Sequence, residues 1–190
     1  MSRVGQMPIN LPTGVKITLE QDSINVEGPK GRLTKKIPIV INVAIESSEI
    51  LVTRPSNSRQ HKALHGLTRA LINNMVIGVT DGFEKRLRLV GIGRDLVQVQ
   101  NNKLTLKDKV FFSHPVTYTA PEGISLRIEQ EQVVEKLTEV PIIVSGMDKE
   151  LIGEVAATIR RIKQPEYYKP CKGIRYEGER VRNRETKATV

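Results

Sequence analysis

Two histidines and one cysteine have the greatest capacity for chemistry in this sequence. His61 and His65 are four residues apart, a spacing that places two metal ligands on one face of a helix. A zinc site needs two further ligands, and the neighbouring Arg59, Lys62 and Arg69 would repel a cation. The pair therefore favours a basic, hydrogen-bonding helix face, and we expect neither a metal nor a cofactor.

Cys171 is the only cysteine, which excludes intramolecular disulfides and cysteine-based zinc sites. Lys169 and Lys172 flank it and would favour the thiolate. Nucleophilic catalysis also requires a base and a group that orients the base, and His114 lies in a strand-like stretch. Without a recognisable triad we expect no enzyme, although Cys171 and the histidines keep an enzyme as a third hypothesis.

The distribution of charge points to a polyanionic partner. The chain of 190 residues has a formal net charge of +9 and a pI of about 9.8. Residues 160–190 contain ten Lys and Arg and four acidic residues, whereas residues 122–154 contain eight acidic residues and three Lys and Arg. This segregation predicts basic faces that bind nucleic acid, with acidic lipid as the competing partner. No apolar run reaches the length of a membrane helix, so we expect no membrane partner.

The last part of the chain combines cations with aromatic residues. Arg160, Arg161 and Lys163 end a predicted helix, where positive charge complements the helix dipole. The tyrosines that follow could stack on bases or sugars, or pack back on the domain; they are Tyr167, Tyr168 and Tyr176. A shaped phosphate-binding surface and a solvated basic tail both remain open on this pattern.

Two helices, each preceded by short strands, organise the chain. Apolar periodicity predicts helices over 58–79 and 148–163, and alternation predicts strands before each of them. Ser56 or Ser58 could cap the first helix, and Gly78 falls where a helix usually ends. The two helices share a pattern, since "LHGLTRALI" (64–72) and "LIGEVAATI" (151–159) both read Leu-x-Gly followed by small residues and Ile. The glycine of each stretch, Gly66 or Gly153, is expected where the helix packs closely on a sheet. We predict an α+β protein with two similar domains, each an antiparallel sheet covered by one helix. The predicted ranges are 1–82, 83–164 and a basic C-terminal extension over 165–190, comprising an RNA-contact loop and a tail.

Several stretches resemble one family over nearly the whole chain. They are "MSRVGQMPINLPTGV" at the start, "VEGPKGRL" (26–33), the run from "RPSNSRQHKALHG" to "RLRLVG" (54–91), "SHPV" (113–116), "VSGMDKELIGEVAATIRRIK" (144–163) and "PEYYK...KGIRY" (165–176). Together they resemble the bacterial and organellar type of large-subunit ribosomal protein six. One departure from the family pattern is Pro170 and Cys171, which stand where the family usually has a single glycine.

The resemblance implies a structural, non-catalytic protein that binds large-subunit ribosomal RNA near the stalk base and the sarcin-ricin region. Its partners would be neighbouring large-subunit and stalk-base proteins, with translation factors nearby, in the ribosome of a bacterial cytoplasm or a plastid stroma. A free-standing RNA-binding or regulatory protein is the alternative.

The expected RNA contacts form two groups. Those of the C-terminal segment are Arg160, Arg161, Lys163, Tyr168, Lys169, Lys172, Gly173, Arg175, Tyr176, Arg180, Arg182 and Arg184. A lesser basic face on and before the first helix comprises Arg54, Arg59, His61, Lys62, His65 and Arg69.

Overall fold

The computed structural model of the protein describes residues 5–46, 49–91, 93, 96–107, 112–134, 137–168 and 171–182. These residues form two α-helices and several antiparallel sheets, which confirms the predicted α+β class. None of the helices in the described ranges has the length and apolar character needed to cross a membrane.

The chain divides into two compact units. The first comprises Met1–Phe83 with Met147–Lys149, and the second comprises Glu84–Gly146 with Glu150–Val190. The finer ranges predicted from the sequence, 1–82, 83–164 and 165–190, stay a prediction.

The first unit contains two three-stranded sheets and one long helix. Its elements are β1 (Ile9–Asn10), β2 (Lys16–Leu19), β3 (Ser23–Gly28), β4 (Gly31–Lys36), β5 (Asn42–Ile45), β6 (Glu49–Thr53) and α1 (Arg59–Thr80). The spatial order is β2-β3-β4 in one sheet and β1-β6-β5 in the other, and all pairs are antiparallel.

The prediction of a single sheet beside this helix was therefore wrong. Pro38 follows β4, and its carbonyl accepts a hydrogen bond of 3.0 Å from the amide of Ile41 in a turn. Because proline lacks an N–H group for a ladder, the chain leaves the first sheet at this turn. The next two strands, β5 and β6, pair with each other, and β6 pairs with β1 instead of continuing the meander.

The core of the first unit lies between its strands and α1. Ile24 and Val26 of β3, Ile50 of β6, and Ile72 and Val79 of α1 are all almost fully buried. This burial of apolar side chains is the main stabilising term for the unit.

The first helix agrees with the predicted range to within one residue at each end. Ser58 caps it, since its Oγ accepts a hydrogen bond of 3.1 Å from the amide of His61. Gly78 was expected to end the helix, but the helix continues to Thr80 and Gly82 follows with a φ of 76°. A Cβ on Gly78 would lie 2.2 Å from the carbonyl oxygen of Met147. Gly78 is therefore required for close packing of the helix against the backbone of Met147.

The second unit also contains two sheets and one helix. Its elements are β7 (Phe83–Val90), β8 (Val97–Gln100), β9 (Lys103–Leu106), β10 (Val116–Thr119), β11 (Ile124–Ile128), β12 (Gln132–Val134), β13 (Leu137–Gly146), α2 (Lys149–Ile162) and β14 (Gly173–Tyr176). Strands β10, β9 and β8 form a three-stranded sheet. The other sheet has the order β11-β13-β7-β14, and β12 also pairs with β13.

The core of the second unit contains the C-terminal strand. Ile174 of β14 is fully buried, as are Leu89 of β7 and Ile142 of β13. Ile159 and other apolar residues of α2 complete this core. Residues 173–176, predicted as part of a loop, are therefore an integral strand of the sheet.

Gly153 of α2 does not have the role expected from the internal repeat. A Cβ built on Gly153 has no neighbouring atom within 4 Å. The match between the two helices therefore does not mark a close contact at this position, and an alanine would fit there.

Candidate nucleic-acid interface

A loop that leaves α2 and returns into β14 carries the exposed aromatic residues of the second unit. The amide of Ile174 donates to the carbonyl of Lys163 at 2.8 Å, and the amide of Glu166 donates to the carbonyl of Lys172 at 3.0 Å. These bonds close the base of the loop. Tyr167 and Tyr168 lie near its far end and are 70 % and 53 % exposed.

Gly173 and Cys171 determine how the loop returns to the sheet. Gly173 has a φ of 137°, and a Cβ there would lie 2.7 Å from the carbonyl oxygen of Gln164. Cys171 has a φ of 57°, and its amide donates to the carbonyl of Tyr168 at 2.7 Å. The left-handed conformation of Cys171 favours glycine, the residue that the resembled family usually has at this departure. The thiol is buried, which gives Cys171 a packing role.

Glu139 is a buried carboxylate that joins three strands of the second unit. Its Oε1 accepts a hydrogen bond from Nη2 of Arg175, and its Oε2 lies 3.4 Å from Nη1 of Arg88. Residues 88 and 175 are directly opposite each other in the β7–β14 register. Two like charges in that position destabilise a sheet unless an acid balances them. Glu139 on β13 supplies this charge.

Arg88 has a second acidic partner, Glu177, which follows β14. Nη2 of Arg88 donates to Oε1 of Glu177 at 2.9 Å. This hydrogen bond raises the pKa of Arg88 and lowers the pKa of Glu177. The pair therefore holds the end of β14 against β7.

Arg160, Glu179 and Tyr176 form a further cluster where α2 ends. Nε of Arg160 donates to Oε2 of Glu179 at 3.0 Å, and the same oxygen accepts from the amide of Tyr176 at 2.9 Å. The hydrogen bond from Arg160 lowers the pKa of Glu179 and raises the pKa of Arg160, because it stabilises the charged form of each group. The Tyr176 ring lies 4.7 Å from Nζ of Lys85 and 5.6 Å from Cζ of Arg160, within cation–π range.

The structure thus separates the predicted C-terminal contacts into two sets. Arg160, Lys163 and Arg175 have intramolecular carboxylate partners, and the ring of Tyr176 faces two cations. The exposed members of the predicted set are Arg161, Tyr168, Arg180 and Arg182, with Lys172 partly exposed and Gly173 buried. Lys169 and Arg184 lie outside the described residues.

In the first unit, the predicted basic face is anchored by His65. This residue is 3 % exposed, with Nε2 at 2.8 Å from the carbonyl oxygen of Val52 and Nδ1 at 2.8 Å from Nη1 of Arg54. Since a carbonyl can only accept and a guanidinium can only donate, Nε2 carries the proton and Nδ1 accepts. His65 is therefore a buried residue that holds Arg54 in place, and its predicted contact with RNA stays a prediction.

The other residues of this face differ in exposure. Arg69 donates to the carbonyl oxygens of Met7 and Pro8 at 3.2 Å, which ties α1 to the segment before β1. Nδ1 of His61 lies 2.7 Å from Oγ of Ser56. Arg59 and Lys62 are exposed. Among the described residues, no group of three or more His, Cys, Asp and Glu could hold a metal ion.

Sequence reasoning missed Glu139, Glu177 and Glu179. Their long-range partners are 36, 89 and 19 residues away, beyond any local pattern. One usable signal was the alternation of Arg86 and Arg88 in a predicted strand, since such a strand needs acidic neighbours in its sheet.

The described residues form an α+β protein with exposed cations around the tyrosine loop, and comparison with known proteins identifies its family. A family model described as Ribosomal protein L6 matches residues 11–82. The chain is 50 % identical over 188 residues to large ribosomal subunit protein uL6 of Clostridium novyi, covering 98 % of each chain. It is 46 % identical over 187 residues to the uL6 protein of Listeria monocytogenes, again covering 98 % of each. With uL6 of Carboxydothermus hydrogenoformans it shares 46 % identity over 184 residues, 97 % of this chain and 94 % of the relative.

The chain belongs to the uL6 family of large-subunit ribosomal proteins. This confirms the resemblance seen in the sequence. The family is a structural, non-enzymatic component of the ribosome, which also confirms that the protein is not an enzyme.

Proposed function

We propose that this protein is a structural constituent of the large ribosomal subunit, in which it binds large-subunit ribosomal RNA and supports translation. The observation that carries the proposal is the loop between Lys163 and Ile174, closed at its base and exposing Tyr167 and Tyr168. Aromatic side chains on a fixed loop can stack on unpaired bases, the usual mode of RNA recognition. Membership of the uL6 family supports the same assignment.

Phosphate contacts in this proposal come from the exposed cations around the loop. Arg161 lies on the last turn of α2, and Arg180 and Arg182 follow β14. Lys172 belongs to the same surface, and Lys169 and Arg184 are proposed to extend it. Arg160, Arg175 and Tyr176 shape this surface through their carboxylate and cation–π contacts. A lesser contact involves Arg59 and Lys62 of α1.

The finer placement follows the family resemblance. We place the RNA site near the stalk base and the sarcin-ricin region, beside neighbouring ribosomal proteins and with translation factors nearby. The reported relatives are bacterial, which favours a bacterial ribosome over a plastid one. Crosslinking from a photoreactive residue at position 167 in the intact large subunit would test the placement. Crosslinks confined to other rRNA regions would contradict it.

Salt-dependent RNA binding tests the proposed surface. Arg161→Ala should weaken binding of the full-length protein to large-subunit rRNA and reduce the log–log salt slope by about one, since one phosphate contact is lost. Arg127→Ala is the matched control, because Arg127 is an exposed arginine of β11 in the acidic stretch. We expect no change for that variant. Equal effects of the two substitutions would mean that binding is a general response to net charge.

Removing the exposed aromatic ring of Tyr167 tests the loop independently of charge. Tyr167→Ala should weaken rRNA binding about tenfold without changing the salt slope, because base–aromatic stacking contributes about 1–3 kcal/mol per base. Sedimentation distinguishes the alternative of a free-standing regulatory protein. A ribosomal constituent stays with the large subunit in high-salt gradients, whereas a transient RNA-binding protein is released.

A further inference from the structure

The first unit exposes an apolar groove beside an open sheet edge. Residues 37–45, "IPIVINVAI", contain a single polar side chain, Asn42. Ile39 is 81 % exposed, and Leu19, Val40 and Ile45 are also exposed. A groove of about 340 Å³ lies here, and its apolar lining includes Leu19, Ile37, Ile39, Ile41 and Val43. Contiguous exposed apolar surface of this kind usually marks an interaction site.

The edge of β5 runs along this groove. Within the described part of the chain, β5 pairs only with β6, so its other side presents ladder groups without a strand partner. Asn42 and Val43 of β5 line the groove. An open edge next to an apolar groove can accept an added strand, whose backbone completes the ladder and whose alternate side chains fill the groove.

The charge around the groove selects the partner. Residues 37–53 contain no Lys or Arg. Glu20 lines the groove, and Asp22 is adjacent in sequence to two residues that line it. Glu46 follows β5, and the nearby cation is Lys36, which precedes Ile37. An excess of carboxylates repels a phosphate backbone, so this surface does not suit RNA.

The same charges disfavour a second copy of the chain. Antiparallel pairing of two β5 edges would bring Glu46 of one copy towards the Asn42 end of the other, where Glu20 lies. Like charges placed opposite one another destabilise such a pair. The partner must therefore be a different chain with the opposite charge.

We propose that the groove along β5 is a docking site for an extended, Lys- and Arg-rich segment of another protein, which adds as a strand to the edge of β5. Its apolar residues would lie against Ile39 and Val43, and its basic residues would face Glu20 and Glu46. This site lies in the first unit, whereas the tyrosine loop is in the second.

Peptide binding to the full-length protein tests the charge and edge requirements. The probe is a fluorescein-labelled heptapeptide of alternating lysine and valine, and the comparison peptides are its glutamate–valine counterpart and a version N-methylated at alternate residues. We expect the lysine peptide to bind at least about tenfold more tightly than either, because only it combines cations with a complete ladder. No binding up to millimolar concentration, or equal binding of the glutamate peptide, would overturn the proposal.

Two matched substitutions then locate the site. Ile39→Lys should weaken binding of the lysine peptide about tenfold, since it removes an apolar contact and adds repulsion. Val133→Lys is the control, because Val133 is a similarly exposed apolar residue, 74 % accessible, on β12 of the second unit. That substitution should leave binding within about twofold of the parent. Equal effects of both variants would show that the groove is not the binding site.

A photocrosslinker at position 39 in purified large subunits identifies the natural partner. This experiment rests on the proposed function, whereas the peptide experiments do not. We expect crosslinks to a Lys- and Arg-rich extended segment of a neighbouring ribosomal protein. Crosslinks to RNA or to a second copy, or no crosslink in subunits that contain the protein, would overturn the proposal. Failure of the protein to enter subunits would instead contradict the proposed function.

Discussion

Neutralising Glu139 should destabilise the second unit far more than removing an acid at its surface. Glu139→Gln keeps the size of the side chain but removes the charge that balances Arg88 and Arg175. These two arginines are opposite each other in adjacent strands, so the variant leaves an uncompensated repulsion within the sheet.

The exposures of the three side chains determine how much stability the substitution should remove. The side chain of Glu139 is 5 % exposed, whereas those of Arg88 and Arg175 are 35 % and 25 % exposed. Removing one partner of a fully buried ion pair costs about 3–5 kcal/mol, and removing one from an exposed pair costs up to about 1 kcal/mol. Because water screens the arginines only partly, we expect the free energy of unfolding to fall by about 2 kcal/mol.

Tyrosine signals provide a selective assay. The chain has no tryptophan, and its four tyrosines, residues 118, 167, 168 and 176, all belong to the second unit. Urea unfolding followed by tyrosine fluorescence therefore reports on this unit. The control is Glu84→Gln, because Glu84 pairs with Arg86 at 3.8 Å and both side chains are about half exposed. If Glu139→Gln costs no more than Glu84→Gln, the buried ion cluster does not stabilise the fold.

Three further predictions concern glycines and pH. Gly153→Ala should stabilise the protein by about 0.5–1 kcal/mol, because alanine favours a helix and the added Cβ meets no neighbouring atom. Gly78→Ala should destabilise it by about 1–3 kcal/mol, because the added methyl would overlap the backbone carbonyl of Met147. Urea unfolding measures both changes. Gly173→Ala should weaken rRNA binding and lower Tm together, since the positive φ and a close carbonyl exclude a side chain. Arg160 lowers the pKa of Glu179, so this pair stabilises β14 above the unfolded pKa and the effect is lost as pH falls through the lower folded value. The protection factor of the Tyr176 amide, in which the intrinsic exchange rate is divided out, should therefore fall on acidification below about pH 4, and Glu179→Gln should abolish that change.

Helix α1 shows how far local sequence chemistry reaches. Apolar periodicity predicted its register, and Ser56 or Ser58 was expected to cap its start, since both signals act within a few residues; Ser58 is the cap. Gly78 resembles a helix terminator, yet the helix continues to Thr80, and the reason for that glycine is the carbonyl of Met147. A local pattern does not distinguish a glycine required for a turn from one required for a tertiary contact.

In the candidate interface, local sequence patterns likewise do not show which charged residues are paired. The sequence predicts RNA contacts in the segment after α2, where Tyr167 and Tyr168 are exposed. It does not reveal that Arg175 faces Glu139, because the two are joined only by the pairing of distant strands. Counting cations along the chain therefore overestimates those available to a ligand.

The difference between cations paired with a carboxylate and cations exposed to solvent affects how a basic segment binds RNA. A cation already paired with a carboxylate brings no net charge to a phosphate, so it contributes little to counterion release. In residues 160–182, Arg160, Lys163 and Arg175 are paired in this way. Their ion pairs instead fix β14 and the return of the loop, which positions the tyrosines near the loop end and the exposed arginines around them. In the proposed interface, the cations paired with carboxylates thus build the surface that the exposed arginines use for binding.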